Sequence, residues 1–115
     1  MHEFGIANSV LDAARAEAEL HPGMKLAKIV IRVGELAGVD PDALTFCFEC
    51  LVKQTDLESV VLEIERHAQR RSCLHCGREF VVANQNTACP TCGEILTTFL
   101  SGDQLELAYL EMEDL

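Results

Sequence analysis

Two stretches of this chain repeat apolar residues at helical spacing. In residues 6–20, apolar side chains recur three and four positions apart with charged residues between them, which predicts a helix with one buried face. The positions of this stripe are Ala7, Val10, Leu11, Ala14 and Ala18. A second helix is predicted from Asp40-Pro41 onward, because aspartate is a favoured N-cap and proline fits the first helical position. Its predicted buried stripe is Leu44, Cys47, Phe48 and Leu51.

Three other stretches alternate apolar and polar residues, which is typical of half-buried strands. They cover residues 26–33, 59–65 and 104–113. In the last one the apolar positions change phase between Leu107 and Ala108, which predicts a β-bulge. The order of elements predicts an α+β fold: a small three-stranded sheet with two helices on one face, plus a module inserted before the last strand.

The insert contains two C-x-x-C turns, in the segments CLHCGREF and CPTCGEI. Both sulfurs of such a turn can face one ion, and the glycine after each pair permits the tight backbone. Four thiolates favour zinc, and a site filled by four protein ligands is structural. A disulfide framework is the alternative, which a reducing cytosol disfavours. The predicted zinc ligands are Cys73, Cys76, Cys89 and Cys92.

These patterns predict two domains, an α+β domain formed by residues 1–66 and 100–115, and a zinc-ribbon domain at residues 67–99. The basic run RHAQRR at residues 66–71 is interpreted as a solvated linker between them. The remaining cysteines, Cys47 and Cys50, also form a C-x-x-C pair, but on the predicted second helix. Core packing is the preferred interpretation of that pair, and a thiol oxidoreductase site is the alternative. His75, inside the first turn, is expected at the surface.

Charge and composition argue against several classes of function. The chain has 9 basic and 19 acidic residues, a formal charge of −10, whereas nucleic-acid binding requires a basic surface. No uncharged apolar run reaches about 18 residues, so no membrane span is predicted. The polar residues near the N-terminus argue against a secretory signal, and the cytoplasm is the expected compartment. No nucleophile–base pair or phosphate-binding loop indicates an enzyme.

The chain begins with Met1, His2 and Glu3. Methionine is expected to remain before a residue as large as histidine, with its amino group free. That amine, the imidazole of His2 and the deprotonated backbone amides of His2 and Glu3 form fused chelate rings in one plane, a donor set that suits Ni(II) or Cu(II). Taken alone, the tripeptide favours an ordinary surface histidine over a metal site.

Several segments in order resemble the HypA/HybF family of hydrogenase-maturation nickel metallochaperones. They are MHEFGI at the start, VGELAGVDPDAL after the first strand, FCFE in the second helix, the two C-x-x-C turns and the acidic last strand. The resemblance covers nearly the whole chain. It implies a nickel site at Met1, His2 and Glu3, with Asp40 as a further candidate, and makes residues 1–66 and 100–115 the nickel-binding domain.

The same resemblance implies a function and partners. Ni(II) would be the transported ion, Zn(II) the structural one, and the recipient the large subunit of a [NiFe]-hydrogenase, with a maturation GTPase of the HypB type as partner. The alternative function is a zinc-ribbon adaptor in a nucleic-acid or transcription complex, which the charge of −10 opposes.

Overall fold

The computed structural model describes residues 2–115. In chain order the elements are α1 (Glu3–Ala18), β1 (Met24–Gly34), α2 (Pro41–Val52), β2 (Val61–His67), β3 (Arg70–Cys73), β4 (Glu79–Val81), β5 (Thr97–Ser101) and β6 (Leu105–Asp114). Internal contacts divide the chain into two units. The helical unit comprises Met1–Arg32, Val39–Glu65 and Glu106–Leu115, and the cysteine unit comprises Val33–Gly38 and Arg66–Leu105.

The first sheet has the strand order β2-β1-β6. One of its faces carries ion pairs from Lys28 and Arg32 of β1 to both neighbouring strands: to Glu63 and Glu65 of β2, and to Glu111 and Glu106 of β6. From Lys28 to Arg32 along β1, the partners in β2 advance from Glu63 to Glu65. The partners in β6 run the other way, from Glu111 back to Glu106. We infer that β2 is parallel and β6 antiparallel to β1. Parallel neighbours need a long crossover, which α2 provides.

The core of the helical unit lies between the helices and β1. The two helices pack against each other, and their buried stripes are Ala7, Leu11 and Ala14 in α1 and Leu44, Phe48 and Val52 in α2. Phe48, Ile29 and Leu44 are among the largest fully buried side chains, and each such burial contributes about 1.5–3 kcal/mol. Both predicted helices are confirmed. α1 begins at Glu3, before the predicted start at residue 6. The apolar pattern does not show this first turn, because Phe4 and Gly5 are exposed and do not belong to the buried stripe.

The cysteine unit contains a second sheet, in the order β4-β3-β5, with antiparallel pairs. Its small buried cluster consists of Cys73, Phe80, Val82 and Cys89. The interpretation of residues 66–71 as a solvated linker is wrong: β2 continues to His67, and β3 begins at Arg70. The physical reason is pairing, since Arg70 lies opposite Val81 and Arg71 opposite both Phe80 and Phe99.

The cysteine unit also includes a segment far from the cysteines in sequence, Val33–Gly38. The N–H of Glu35 donates to the carbonyl of His67 at 2.8 Å, and the N–H of Leu36 donates to the carbonyl of Gly102 at 2.7 Å. These bonds connect the segment to the rest of the cysteine unit. The predicted division at 1–66, 67–99 and 100–115 stays a prediction.

The α+β class with an inserted cysteine module is confirmed. In β6 the burial pattern changes phase where the apolar pattern does, with Leu107 and Ala108 both half-buried, and the bulge itself stays a prediction. In the described part of the chain, no helix combines the length and the apolar character that a membrane crossing requires.

Candidate metal centres

The four predicted zinc ligands lie together in the cysteine unit. Cys73 is the last residue of β3, and the other three follow in the connections between β3 and β5. All four Sγ atoms lie within 4.8 Å of one another. The shortest distances cross between the two turns, 3.6 Å from Cys73 to Cys92 and 3.7 Å from Cys76 to Cys89. The fold therefore brings two sequence-distant pairs into one cluster.

The two turns have the same backbone geometry. In the first, the N–H of Gly77 donates to the carbonyl of Cys73 at 3.0 Å; in the second, the N–H of Gly93 donates to the carbonyl of Cys89 at 2.9 Å. Gly77 and Gly93 have φ angles of +77° and +80°, a region that a residue without Cβ adopts at little cost. Two backbone N–H groups of the first turn also donate to the sulfur of Cys73, at 3.3 and 3.4 Å.

The sulfur geometry fits a tetrahedral zinc ion. With zinc–sulfur bonds of about 2.3 Å, the edges of such a tetrahedron are about 3.8 Å long. The two observed distances of 3.6 and 3.7 Å are close to this length. Cys73 and Cys89 are buried, whereas Cys76 and Cys92 are exposed, so each turn contributes one inner and one outer ligand. The cluster could hold a structural zinc.

Backbone donors and neighbouring sulfurs shift the pKa values of the thiols. The N–H of Cys76 is the main cause that lowers the pKa of Cys73. The N–H of Cys92 is the main cause that lowers the pKa of Cys89, to about 6. The N–H of Glu94 lowers the pKa of Cys92, but desolvation and the neighbouring cysteine sulfurs outweigh it and raise that pKa to about 12. Four sulfurs this close cannot all ionise without a cation between them, which a divalent ion supplies.

The N-terminal candidates lie at the start of α1. Met1 lies outside the described residues. His2 is exposed and is the N-cap residue of α1, and its side chain makes no capping hydrogen bond. The carbonyl of His2 accepts the N–H of Ile6 at 2.9 Å, the first bond of the helix. The backbone N–H groups of His2 and Glu3 therefore precede the helical bonding pattern.

Glu3 and Asp40 are brought together from 37 positions apart. Glu3 is buried, with 9% exposure, and its Oε2 accepts the backbone N–H of Asp40 at 3.0 Å. The chain's α-ammonium group is the largest cause, and this N–H the second, that lowers the pKa of Glu3 to about 2. Asp40 caps α2, because its Oδ1 accepts the N–H groups of Asp42 at 3.0 Å and Ala43 at 3.3 Å. The Glu3 carboxylate thus joins the starts of the two helices.

Formal charge is distributed unevenly between the two units. The helical unit contains five basic and fifteen acidic residues, whereas the cysteine unit contains four of each. The whole charge of −10 therefore belongs to the unit that contains His2 and Glu3. A negative field of this kind raises the local concentration of cations.

Three other candidates from the sequence are not part of a metal cluster in residues 2–115. Cys47 is half-buried and Cys50 is exposed, and both are free thiols. Core packing is therefore wrong for Cys50, because the buried stripe of α2 runs through Leu44, Phe48 and Val52. His75 is exposed, as expected.

Two residues next to the cysteine cluster, Arg71 and Thr97, are not among the site residues predicted from the sequence. Arg71 is half-buried, and its Nε donates to Thr97 Oγ1 at 2.7 Å. A signal was present, because residues two apart in a strand share a face. Since Cys73 must face the other three cysteines of the predicted site, Arg71 must share that face if β3 begins before it.

The fold and the cysteine cluster define a small α+β protein with four cysteines that could hold a metal ion. A protein-family model described as "HypA: Hydrogenase/urease nickel incorporation, metallochaperone, hypA" matches residues 1–112. The chain belongs to this HypA family, which confirms the resemblance seen in the sequence.

Individual relatives agree with this assignment. The chain is 38% identical to "Hydrogenase maturation factor HypA" of Geobacter metallireducens over 113 residues, which cover 98% of this chain and 100% of the relative. It is 35% identical to the protein of the same name of Geotalea uraniireducens, with the same coverage. The solution structure of the Ni metallochaperone HypA from Helicobacter pylori shares the fold, with a TM-score of 0.64, 22% identity and 97% coverage of each chain. A second solution structure, of a protein named HypA, gives a TM-score of 0.68.

Proposed function

We propose that this protein is a nickel carrier that binds Ni(II) at its N-terminus and delivers it to the large subunit of a [NiFe]-hydrogenase during maturation. The observation that carries the proposal is the family match, which begins at residue 1 and thus includes the N-terminal tripeptide. The protein acts in the cytoplasm and is not itself an enzyme. A GTPase of the HypB type is the partner that would contribute nucleotide hydrolysis.

The proposed nickel ligands are the amine of Met1, the imidazole of His2 and the backbone amide nitrogens of His2 and Glu3. The helix loses no hydrogen bond when these amides bind a metal, because Ile6 is its first donor. Two deprotonated amides also cancel the charge of Ni(II), so the positive end of the α1 dipole opposes the chelate little.

The carboxylates near this site have structural roles that support the chelate indirectly. Since the Oε2 of Glu3 accepts the Asp40 N–H, we assign the nickel contact of Glu3 to its backbone nitrogen. Asp40 stays a further candidate ligand, through the carboxylate oxygen that does not cap α2. The Glu3 side chain holds the first turns of α1 and α2 together, and the Asp40 side chain caps α2.

The proposed second ion is a structural zinc held by Cys73, Cys76, Cys89 and Cys92. All four positions around it are filled by the protein, so no position is open for a substrate. Among the described residues, the buried cluster around the cysteines is small and consists of Cys73, Phe80, Val82 and Cys89. So small an apolar core needs the metal for stability, and zinc binding then contributes folding free energy.

A nickel titration by calorimetry tests the proposed carrier function. The zinc-loaded protein with its native N-terminus should bind one Ni(II). His2→Ala should weaken binding by at least about a hundredfold, since loss of a supporting residue alone costs about 10–100-fold. His21→Ala is the matched control, because His21 is also exposed but lies beyond the end of α1, and it should bind nickel like the parent protein.

Extensions of the chain provide the second arm of this experiment. An N-terminal extension converts the amine of Met1 into an amide and should weaken nickel binding as much as His2→Ala does, whereas a C-terminal extension should have no effect. Unchanged nickel affinity in the N-terminally extended protein would contradict the terminal chelate.

A further inference from the structure

Arg71 is held by three hydrogen bonds beside the cysteine cluster. Its Nε donates to Thr97 Oγ1 at 2.7 Å, its Nη2 donates to the Thr97 carbonyl at 2.7 Å, and its Nη1 donates to Gln69 Oε1 at 2.9 Å. All three acceptors are neutral oxygens. A guanidinium is a planar fork of fixed geometry, so these bonds fix Thr97 relative to β3 in addition to the pairing of β3 with β5.

Gln69, the other acceptor, is itself fixed. It is 6% exposed, its N–H donates to Glu35 Oε1 at 3.1 Å, and its carbonyl accepts the Val82 N–H at 2.8 Å. Arg71 is therefore anchored on one side by a residue that does not move independently. The Nε and Nη2 groups of Arg71 then hold Thr97 in place relative to Gln69.

Thr97 connects the two cysteine turns. In the pairing of β3 and β5 it lies opposite Cys73, the first ligand of the first turn. Its hydroxyl donates to the carbonyl of Thr87 at 2.7 Å, and Thr87 precedes Cys89 of the second turn by two residues. A hydroxyl has a single hydrogen to donate. Because Arg71 donates to this oxygen, the hydrogen is directed to Thr87.

We infer that Arg71 is a positioning residue for the cysteine site: through Thr97 it holds the second turn at the place where its sulfurs meet those of the first. Arg71 does not touch the ion. The inference rests on the proposed zinc site and adds a residue that controls how firmly the ion is kept. Without the fork, the chain before Cys89 is tied to β5 less tightly, and the site opens more often.

Zinc release to a chromophoric chelator, measured on the zinc-loaded full chain, tests this role. Arg71→Met keeps the length of the side chain but removes every donor, and Thr97→Val keeps the shape of threonine but removes the hydroxyl. Both should release zinc at least about tenfold faster, as expected for residues that support metal ligands. Thr97→Ser restores the hydroxyl and should restore the slow release. Arg70→Met is the matched control, because the Arg70–Glu79 ion pair at 3.3 Å is exposed, and it should release zinc at the parent rate.

The cobalt-substituted proteins separate positioning from loss of the fold. Arg71→Met and Thr97→Val should keep the sulfur-to-cobalt absorption bands of a four-thiolate site, because no ligand is removed. Parent-like release from Thr97→Val and Arg71→Met would overturn the inference, as would lost cobalt bands in Thr97→Val. Failure of the parent protein itself to bind zinc would instead contradict the proposed zinc site, so the two failures are distinguishable.

Discussion

Asp40 has two separable roles, as the cap of α2 and as a candidate nickel ligand, and two substitutions distinguish them. Asp40→Ala removes the acceptor of two backbone N–H groups, at 3.0 and 3.3 Å. It should lower the free energy of unfolding by about 1 kcal/mol, as loss of an aspartate N-cap typically does. Asp40→Asn keeps an equivalent acceptor and loses only the charge at the helix N-terminus, which is worth about 0.3–1 kcal/mol. It should therefore cost less than the alanine variant.

Urea unfolding followed by far-UV circular dichroism, at a constant concentration of zinc, measures this difference. With a slope of about 1.5 kcal/mol per molar urea, a loss of 1 kcal/mol lowers the midpoint by roughly 0.7 M. Equal midpoints for Asp40→Ala and the parent protein would refute the capping argument. Nickel titration of Asp40→Asn then isolates the role as a ligand, because weaker binding with the cap retained assigns Asp40 to the nickel site. Asp42→Asn, a substitution of a neighbouring exposed acid, is the control that should leave the affinity unchanged.

Three further outcomes follow from the same structure. Gly93→Ala places a Cβ at a φ of +80°, which strains the backbone by about 1–2 kcal/mol, and it should accelerate zinc release. Gly5→Ala is the contrasting case, because a Cβ at Gly5 on α1 meets open space, and it should raise the urea midpoint or leave it unchanged. In the folded protein a thiol-specific reagent should modify the exposed Cys50 faster than the half-buried Cys47. Equal rates of modification would contradict the burial of Cys47. Because the pKa of Glu3 is lowered from 4.5 to about 2, its ionised carboxylate stabilises the folded protein above pH 4.5, and this contribution is lost as the pH falls towards 2. Between pH 4.5 and 2, the free energy of unfolding of Glu3→Gln should therefore fall less steeply with pH than that of the parent protein. The same pH dependence in both proteins would contradict the structural role of Glu3.

The elements of the helical unit could be predicted from the sequence because single-chain patterns determine them. The Asp40-Pro41 pair marks the start of α2 by local chemistry, and the capping bonds of Asp40 confirm it. The alternation around Ile29 and Ile31 marks β1, whose two faces meet an apolar core and an ion-pair network. The cysteine cluster was recognisable for the same reason, since the geometry of each C-x-x-C turn is local.

The strands of the cysteine unit could not be predicted because their faces are not sorted by polarity. Arg71 shares a face with Cys73 and is half-buried, so β3 has no apolar alternation and resembles a solvated run. The bond from Asp40 to Glu3 joins residues 37 positions apart, and nothing in either local sequence indicates it. Cys50 was predicted to pack in the core but is exposed. The sequence pattern of α2 alone does not show which face of this helix packs against α1.

X-ray absorption at both metal edges of the nickel- and zinc-loaded protein tests most directly whether each ion occupies its own kind of site. At the nickel edge we expect nitrogen and oxygen neighbours only, as the chelate of Met1, His2 and Glu3 requires. At the zinc edge we expect four sulfurs at about 2.3 Å, with no change when nickel is added. Sulfur bound to nickel, or fewer than four sulfurs around zinc, would contradict this assignment of the two ions.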